Sequence, residues 1–424
     1  MILIALIPIF FVSWLHKFTS PSGHGLPNVA GNDNGAIPVQ PIQKYDLVIV
    51  GAGIIGASVA WHAAQRGLKV AVLDSRGPAA ASSGASDGAV SVATKRPGVM
   101  ADLAGESLTY THELAHQNAV LHGVFHPRAS FLFARSKPEM AALDTLSQML
   151  DAQGLPVHIR QDSPARTSRI TGLGPAVERV MELQGEGHML GYLATFRYLQ
   201  ASGCDRYWPC QVEGFETTND GVTVQSTAGR FLCDHLVIAT GLGTRALFPD
   251  LPLIARSGQL IVTDRGTAGE TALPGLLTSA AYLLDKKPGG HGTAGIPVVI
   301  DPLATGQILI GSSRENNGTE SHTDIATVRR LLHSATECLP AIADRRVVRV
   351  FAGVRTATSD GTPIVGRLPN HPNVICATGF EGDGICLSAL IGREITTEVT
   401  GGRMCPTLAP LSLTRFLVKE EIPA

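Results

Sequence analysis

"YDLVIVGAGIIGASVAWHAAQRGLKVAVLD", residues 45–74, decides the fold. "YDLVIV" is a short, nearly continuous apolar run, the pattern of a strand buried on both faces of a parallel sheet. A helix is expected over about 54–66 and a second strand over "KVAVLD", 69–74, which makes a βαβ unit. Between strand and helix stand Gly51, Gly53 and Gly56, the spacing GxGxxG. The first glycine allows the tight turn, the second lets backbone approach a pyrophosphate, and the third lets helix and strand pack closely. The helix N-terminus, with its free N–H groups, favours that anion. Asp74, at the end of the second strand, stands where a carboxylate would accept bonds from an adenosine ribose. The bland alternative is a glycine turn kept for packing.

A second glycine loop precedes a helical pattern more than 300 residues later, in "ATGFEGDGICLSALIGREI", residues 377–395. Two helix N-termini aimed at one ligand would explain the repetition. A nicotinamide enzyme needs one such loop, whereas a flavin dinucleotide has use for two. Charge builds near N1 and the C2 carbonyl of a flavin on reduction. Backbone N–H groups of Gly382, Asp383, Gly384 and Ile385 at the head of a helix would favour it. The stretch "GPAAASSGASDGAVS" (77–91) is rich in small residues and hydroxyls, including Ser83 and Ser86, and can wrap an isoalloxazine and its phosphates. For the second loop the alternative is a plain helix entry.

The chain of 424 residues, 44% hydrophobic, is long enough for two lobes. Lys plus Arg number 34 against 36 Asp plus Glu, so no basic excess is available for nucleic acid. Seven cysteines without a CxxC pair argue against a disulfide framework and against a zinc or iron–sulfur site, so no metal and a cytoplasmic location are expected. The apolar "ILIALIPIFFVSWL" near the N-terminus is shorter than the roughly 20 residues of a spanning helix. Residues 1–43 read as an apolar segment plus linker, and peripheral membrane association is open only through residues 2–15.

Further along, helices are expected over 104–120, 138–153, "LGYLATFRYLQASG" (190–203) and 324–338. "SFLFARS" (130–136) reads as a strand. Residues 212–241 read as antiparallel strands with turns at Asn219–Gly221 and Ala228–Gly229, ending in a buried strand. "GQLIVTDR", "VVIDP" and "GQILIGSSRE" read as strands of a second sheet. Segments of the two sheets alternate along the chain. The fold class expected is α/β, α+β overall: a Rossmann-like domain (44–98, 185–256, 350–415) interleaved with an antiparallel-sheet substrate domain (99–184, 257–349).

Four segments carry a resemblance: residues 46–74, "HLVIATG", "FAGVRTATSDGTPIVGRLP" and "ATGFEGDGI". Over about 45–415 the chain resembles the FAD-dependent amino-acid and amine oxidoreductases, the family of D-amino-acid oxidase, glycine oxidase and sarcosine oxidase. "SGQLIVTD", the long connection "YLLDKKPGGHGTAGIPVVIDPLATG" (282–306), "ILIGSSRE" and "GFEGDGI" bring it nearest to the FAD catalytic subunit of three hetero-oligomeric enzymes: D-hydroxyproline dehydrogenase, opine oxidase and hydrogen cyanide synthase. The resemblance implies non-covalent FAD. Besides the residues above, it places cofactor contacts at Ile54, Ile55, Ser75, Arg76, Val212, Thr240, Gly241, Gly353 and Gly379. It places the family's carboxylate-binding arginine on Arg355, beside the flavin. A guanidinium at a strand end can grip a carboxylate in bidentate fashion; a structural salt bridge is the alternative. Tyr282 is the candidate hydroxyl over the substrate, or a packed aromatic. Arg314 and Glu315 are weaker candidates. The chain departs from the family in having Thr356 where proline is usual and Asp74 where glutamate is usual.

The chemistry expected is dehydrogenation of an amino acid or secondary amine, a cyclic imino acid such as D-hydroxyproline or proline, or an opine. Hydride passes from Cα to flavin N5, so the protein's part is mostly positioning. The nearer resemblance implies partner subunits carrying iron–sulfur, FMN or FAD centres. An oxygen-using glycine, sarcosine or D-amino-acid oxidase is one alternative, and a non-catalytic flavoprotein with an assembly role is another.

Overall fold

In the computed structural model the described residues are 43–416, except 219, 267–272, 286–296 and 317–321. The N-terminal segment, Asn219 of the predicted turn and much of the connection after Tyr282 lie outside them. Among the described residues no helix is long and apolar enough to cross a membrane.

The opening βαβ unit forms as its sequence predicts: strand Gln43–Val50, helix Ile54–Gln65, strand Val70–Leu73. Its strands belong to an eight-stranded sheet. Gln43–Val50 lies parallel between Val70–Leu73 and Gly229–Ile238. Strand Gly229–Ile238 has two partners on its far side. Its first half pairs antiparallel with Gly221–Ser226, and Leu236–Ile238 pair parallel with His371–Thr378. Leu47, Val48 and Ile49 are wholly buried, as both-face coverage requires. One face is covered by helices Ile54–Gln65, Gly191–Ser202 and Gly384–Val399, whose apolar sides share one core cluster.

A second sheet, of nine strands, runs in the order Glu315–Asn316, Leu253–Thr263, Ile308–Gly311, Val299–Pro302, Gly275–Ser279, Ala129–Ala134, Arg179–Gln184, His158–Pro164. The ninth strand, Val347–Thr358, pairs along the outside of Leu253–Thr263. All pairs are antiparallel except Gly275–Ser279 on Ala129–Ala134. Helix Ile325–Cys338 packs Val328, Leu331 and Ala335 against Ile261, Leu277 and Ile310.

One expectation needs correction. The helix predicted over 104–120 is Val99–Leu114. Gly98, at φ 93°, breaks the chain directly before it, and Asn118, at φ 68°, turns the chain after it. Strand Val347–Thr358 pairs along Leu253–Thr263 in the second sheet, so each of these long strands passes a boundary drawn in the sequence, at 350 and at 257.

Candidate functional site

Both glycine loops open onto one cavity of about 630 Å³. The head of helix Ile54–Gln65 contributes Gly51, Gly53, Ile54 and Ile55, and the head of helix Gly384–Val399 contributes Gly379, Gly382, Gly384 and Ile385. Asp74, Ser75, Arg76, Ser83, Ser86, Val212, Thr240, Gly241, Gly353 and Arg355 complete the predicted lining.

Gly51 is required by contact as well as by φ, and Gly353 by contact. A Cβ on Gly51, at φ 110°, would stand 2.4 Å from the Ala239 carbonyl oxygen, and one on Gly353 would stand 2.7 Å from the Ala85 Cβ. A Cβ on Gly382 would meet no protein atom within 4 Å. That glycine keeps space open that the protein does not fill, as a cradle for a ligand would. At the first loop Ser83 Oγ accepts the Ile54 N–H at 3.0 Å, leaving its own hydroxyl proton to donate. The Asp74 carboxylate accepts the N–H groups of Ala52, Arg76 and Gly77, each at 2.8 Å. It thereby pins the first loop to the turn after the second strand. These residues fit a flavin dinucleotide: a long cavity, two helix N-termini, and an acid at the end of the second strand.

At the other end of the cavity Arg355 lies over the second sheet. Its Nη2 donates to Ser312 Oγ at 2.5 Å and its Nη1 to the Ser313 carbonyl at 3.3 Å. Neither partner is a carboxylate. Gly258, opposite Gly353 in the strand register, provides the room, since a Cβ there would stand 2.6 Å from Nη1.

Three predicted residues fall outside the cavity lining. Gly56 faces the strand, where a Cβ would collide with the Gly51 carbonyl oxygen at 2.0 Å. Asp383 is turned away and pairs with Lys95 Nζ at 2.8 Å. Tyr282 bonds through its hydroxyl to the Ser312 carbonyl (3.1 Å) and Oγ (3.2 Å), the same Oγ that accepts from Arg355. It therefore buttresses the arginine's partner rather than lining the cavity. Conversely Ser82, Ala85, Gly258 and Glu381 line the cavity without having been predicted. Ser82 and Ala85 lie in the small-residue stretch 77–91. Gly258 lies in "SGQLIVTD" and Glu381 in the second glycine loop, but their contacts with Arg355 and with Arg256 and Arg314 depend on pairing between distant segments.

The geometry agrees with comparisons against known proteins. The model of the family described as FAD dependent oxidoreductase (DAO) matches residues 46–398. An opine oxidase subunit of Rhizobium meliloti is 26% identical over 390 residues, covering 88% of this chain and 98% of that protein. Glycine oxidase of Bacillus licheniformis is 24% identical, covering 85% and 94%. The crystal structure of glycine oxidase from Geobacillus kaustophilus superposes with a TM-score of 0.76 at 23% identity, covering 88% of this chain and 99% of that one. L-proline dehydrogenase from P. horikoshii gives a TM-score of 0.76 at 18% identity, covering 89% and 99%. Two helix N-termini on one cavity and a family match over most of the chain lead to one assignment: the chain belongs to the DAO family of FAD dependent oxidoreductases, enzymes acting on amino-acid and amine donors.

Proposed function

We propose that the protein dehydrogenates an amino acid or secondary amine that carries a carboxylate, a cyclic imino acid or an opine, as the catalytic subunit of a hetero-oligomer. The observation that carries this reading is Arg355. Its guanidinium reaches the cavity with only a hydroxyl and a carbonyl as partners, so its charge is available for a substrate carboxylate. Bound FAD supplies the hydride acceptor; the chain supplies position. Arg355 orients the substrate, Ser312 holds Arg355, and Tyr282 holds Ser312. Ser83, with Gly53 and Ile55, would hold the pyrophosphate. Asp74, Ser75, Arg76 and Val212 would take the adenosine end, with Thr240 and Gly241 beside it. Gly379, Gly382, Gly384 and Ile385 would take the pyrimidine edge of the ring. Arg314 and Glu315 stand by the same sheet end, Arg314 bound to Glu381 and Glu315 to Ser313.

The relatives named as subunits of opine oxidase and of hydrogen cyanide synthase, the latter 25% identical in Pseudomonas protegens, support a place in a multi-chain enzyme. The test is anaerobic addition of D-hydroxyproline, D- and L-proline, octopine, nopaline, glycine and sarcosine to the purified chain. Loss of the flavin band with one of them identifies the donor. Rapid return of the band in air favours an oxygen-using oxidase, the reading to which the glycine oxidase relatives lend weight. A flavin that no donor bleaches, alone or with partner subunits, sinks the catalytic reading in favour of an assembly role.

A further inference from the structure

"GFEGDGI", residues 379–385, carries two carboxylates at the place assigned above to the flavin's pyrimidine edge. Negative charge gathers at that edge on reduction, and carboxylates beside it would oppose the change. Each is tied to cations from outside the loop. Glu381 Oε1 takes Arg256 Nη1 at 2.8 Å and Arg314 Nη2 at 2.6 Å. Asp383 Oδ1 takes Lys95 Nζ at 2.8 Å. Neither carboxylate of the loop is left without a cation beside it.

The Lys95 pair has the more demanding geometry. The lysine side chain is 4% exposed and rises from the segment that follows the small-residue stretch. Burial works against its charge, but Asp383, first among the groups that oppose it, and Glu186 and Cys386 with it hold its pKa above the ordinary lysine value. Asp383 occupies the N-cap position of helix Gly384–Val399 yet makes no side-chain cap bond. Its carboxylate is drawn back to Lys95 instead, so Gly382, Gly384 and Ile385 face the cavity and Asp383 does not. The other titratable groups toward Lys95 are Glu186 and Cys386. The Glu186 carboxylate is taken up by the N–H groups of Val92 and Ala93 and the hydroxyls of Ser91 and Ser130. Burial pushes the Cys386 thiol up to about 11, which keeps it neutral.

We propose that Lys95 is a positioning residue for the flavin: it holds Asp383 off the cavity and cancels its charge, so that the helix N-terminus presents a net positive field to the pyrimidine edge. The proposal rests on the assignment of loop 379–385 to that edge. Sulfite binding to the FAD-loaded protein tests it, because sulfite adds reversibly at flavin N5 and its dissociation constant reads the field at the pyrimidine edge. Lys95→Met is expected to weaken sulfite about tenfold or more, equivalent to about 30 mV for a two-electron couple. Lys95→Arg should recover most of that loss, Asp383→Asn should tighten sulfite, and the double variant K95M/D383N should return toward wild type. Midpoint potentials from dye equilibration should follow the same order. Glu381→Gln is the control for the loop assignment. If Glu381→Gln shifts sulfite binding while Lys95→Met and Asp383→Asn do not, the role of Lys95 is overturned. If none of the three shifts it, the loop assignment itself falls. Should Lys95→Met fail to retain FAD, Asp383→Asn decides alone, and a wild-type constant there overturns the proposal.

Discussion

Arg355 and Gly258 show how one side chain and the absence of another make a binding feature together. The arginine bends across a floor thinned by Gly258 and Gly353, which face each other in the strand register. Arg355→Lys keeps the charge and loses the planar fork, so kcat/KM should fall about 10–100-fold, roughly 1.5–3 kcal/mol, with FAD content unchanged. A wild-type kcat/KM for R355K would remove the arginine from substrate binding. Gly258→Ala leaves Arg355 in the chain but puts a methyl 2.6 Å from both Nη1 and the Ser313 carbonyl oxygen. The guanidinium and the backbone of its partner must both shift, and KM for a carboxylate donor should rise while the flavin spectrum stays the same. An unchanged KM would mean that Arg355 does not need its present place. Only half of this pair was legible in the sequence. Arg355 stands in a segment whose likeness points to a role, whereas Gly258, though inside "SGQLIVTD", shows its relation to Arg355 only when residues 253–263 are laid against 347–358. Gly51, Gly53 and Asp74 could be placed together at the cavity for the opposite reason, since their positions follow from spacing within one βαβ unit. Lys95 had no signal at all, because its partner lies nearly 300 residues away.

The elements that carry the two glycine loops are also packed against each other. Helices Ile54–Gln65 and Gly384–Val399 cross closely at Gly392, where a Cβ would stand 2.2 Å from Ser58 Oγ and 2.8 Å from His62 Nδ1. Ser58 Oγ donates to the Ser388 carbonyl at 2.7 Å across the same crossing. This contact fixes the angle between the two helix heads, and so the distance between their positive ends. Gly392→Ala should cost about 1–3 kcal/mol in denaturant unfolding through overpacking. A variant as stable as wild type would show the crossing to be loose. His62 at this crossing is buried, with Nδ1 on the Ser58 carbonyl and Nε2 on the Tyr110 hydroxyl. Burial lowers its pKa to about 4, so the folded protein holds it neutral where the unfolded chain takes a proton near 6.5. The unfolded state binds more protons over that interval, so stability is lost as pH falls from 6.5 to 4. The two pKa values correspond to about 3 kcal/mol at the lower limit. His62→Gln should flatten the melting temperature over that pH range relative to wild type. An equal slope in the variant would show that other groups set the acid sensitivity.

For the whole molecule, the cavity is what joins chain segments that are far apart in sequence. Its lining comes from residues 50–55, 73–87, 210–212, 239–247, 258–260, 352–356 and 377–385. The alternation of the two sheets along the chain was legible from strand patterns. The pairing of strands 253–263 and 347–358 was not, because it joins segments almost a hundred residues apart. A ligand that touches all these segments binds the folded state and not the unfolded one. Free FAD at a hundredfold excess over Kd should therefore add about 2.7 kcal/mol to the apoprotein and raise its melting temperature. Gly382 separates that linkage from ordinary stability. A side chain there points into space that no protein atom occupies, and the position has no left-handed φ to strain it. Gly382→Val should leave the melting temperature of the apoprotein close to wild type. It should also remove most of the rise on adding FAD, because the isopropyl group takes the ligand's volume. If the variant shows the full rise, the space beside Gly382 is not the cofactor's, and the second glycine loop must face something else.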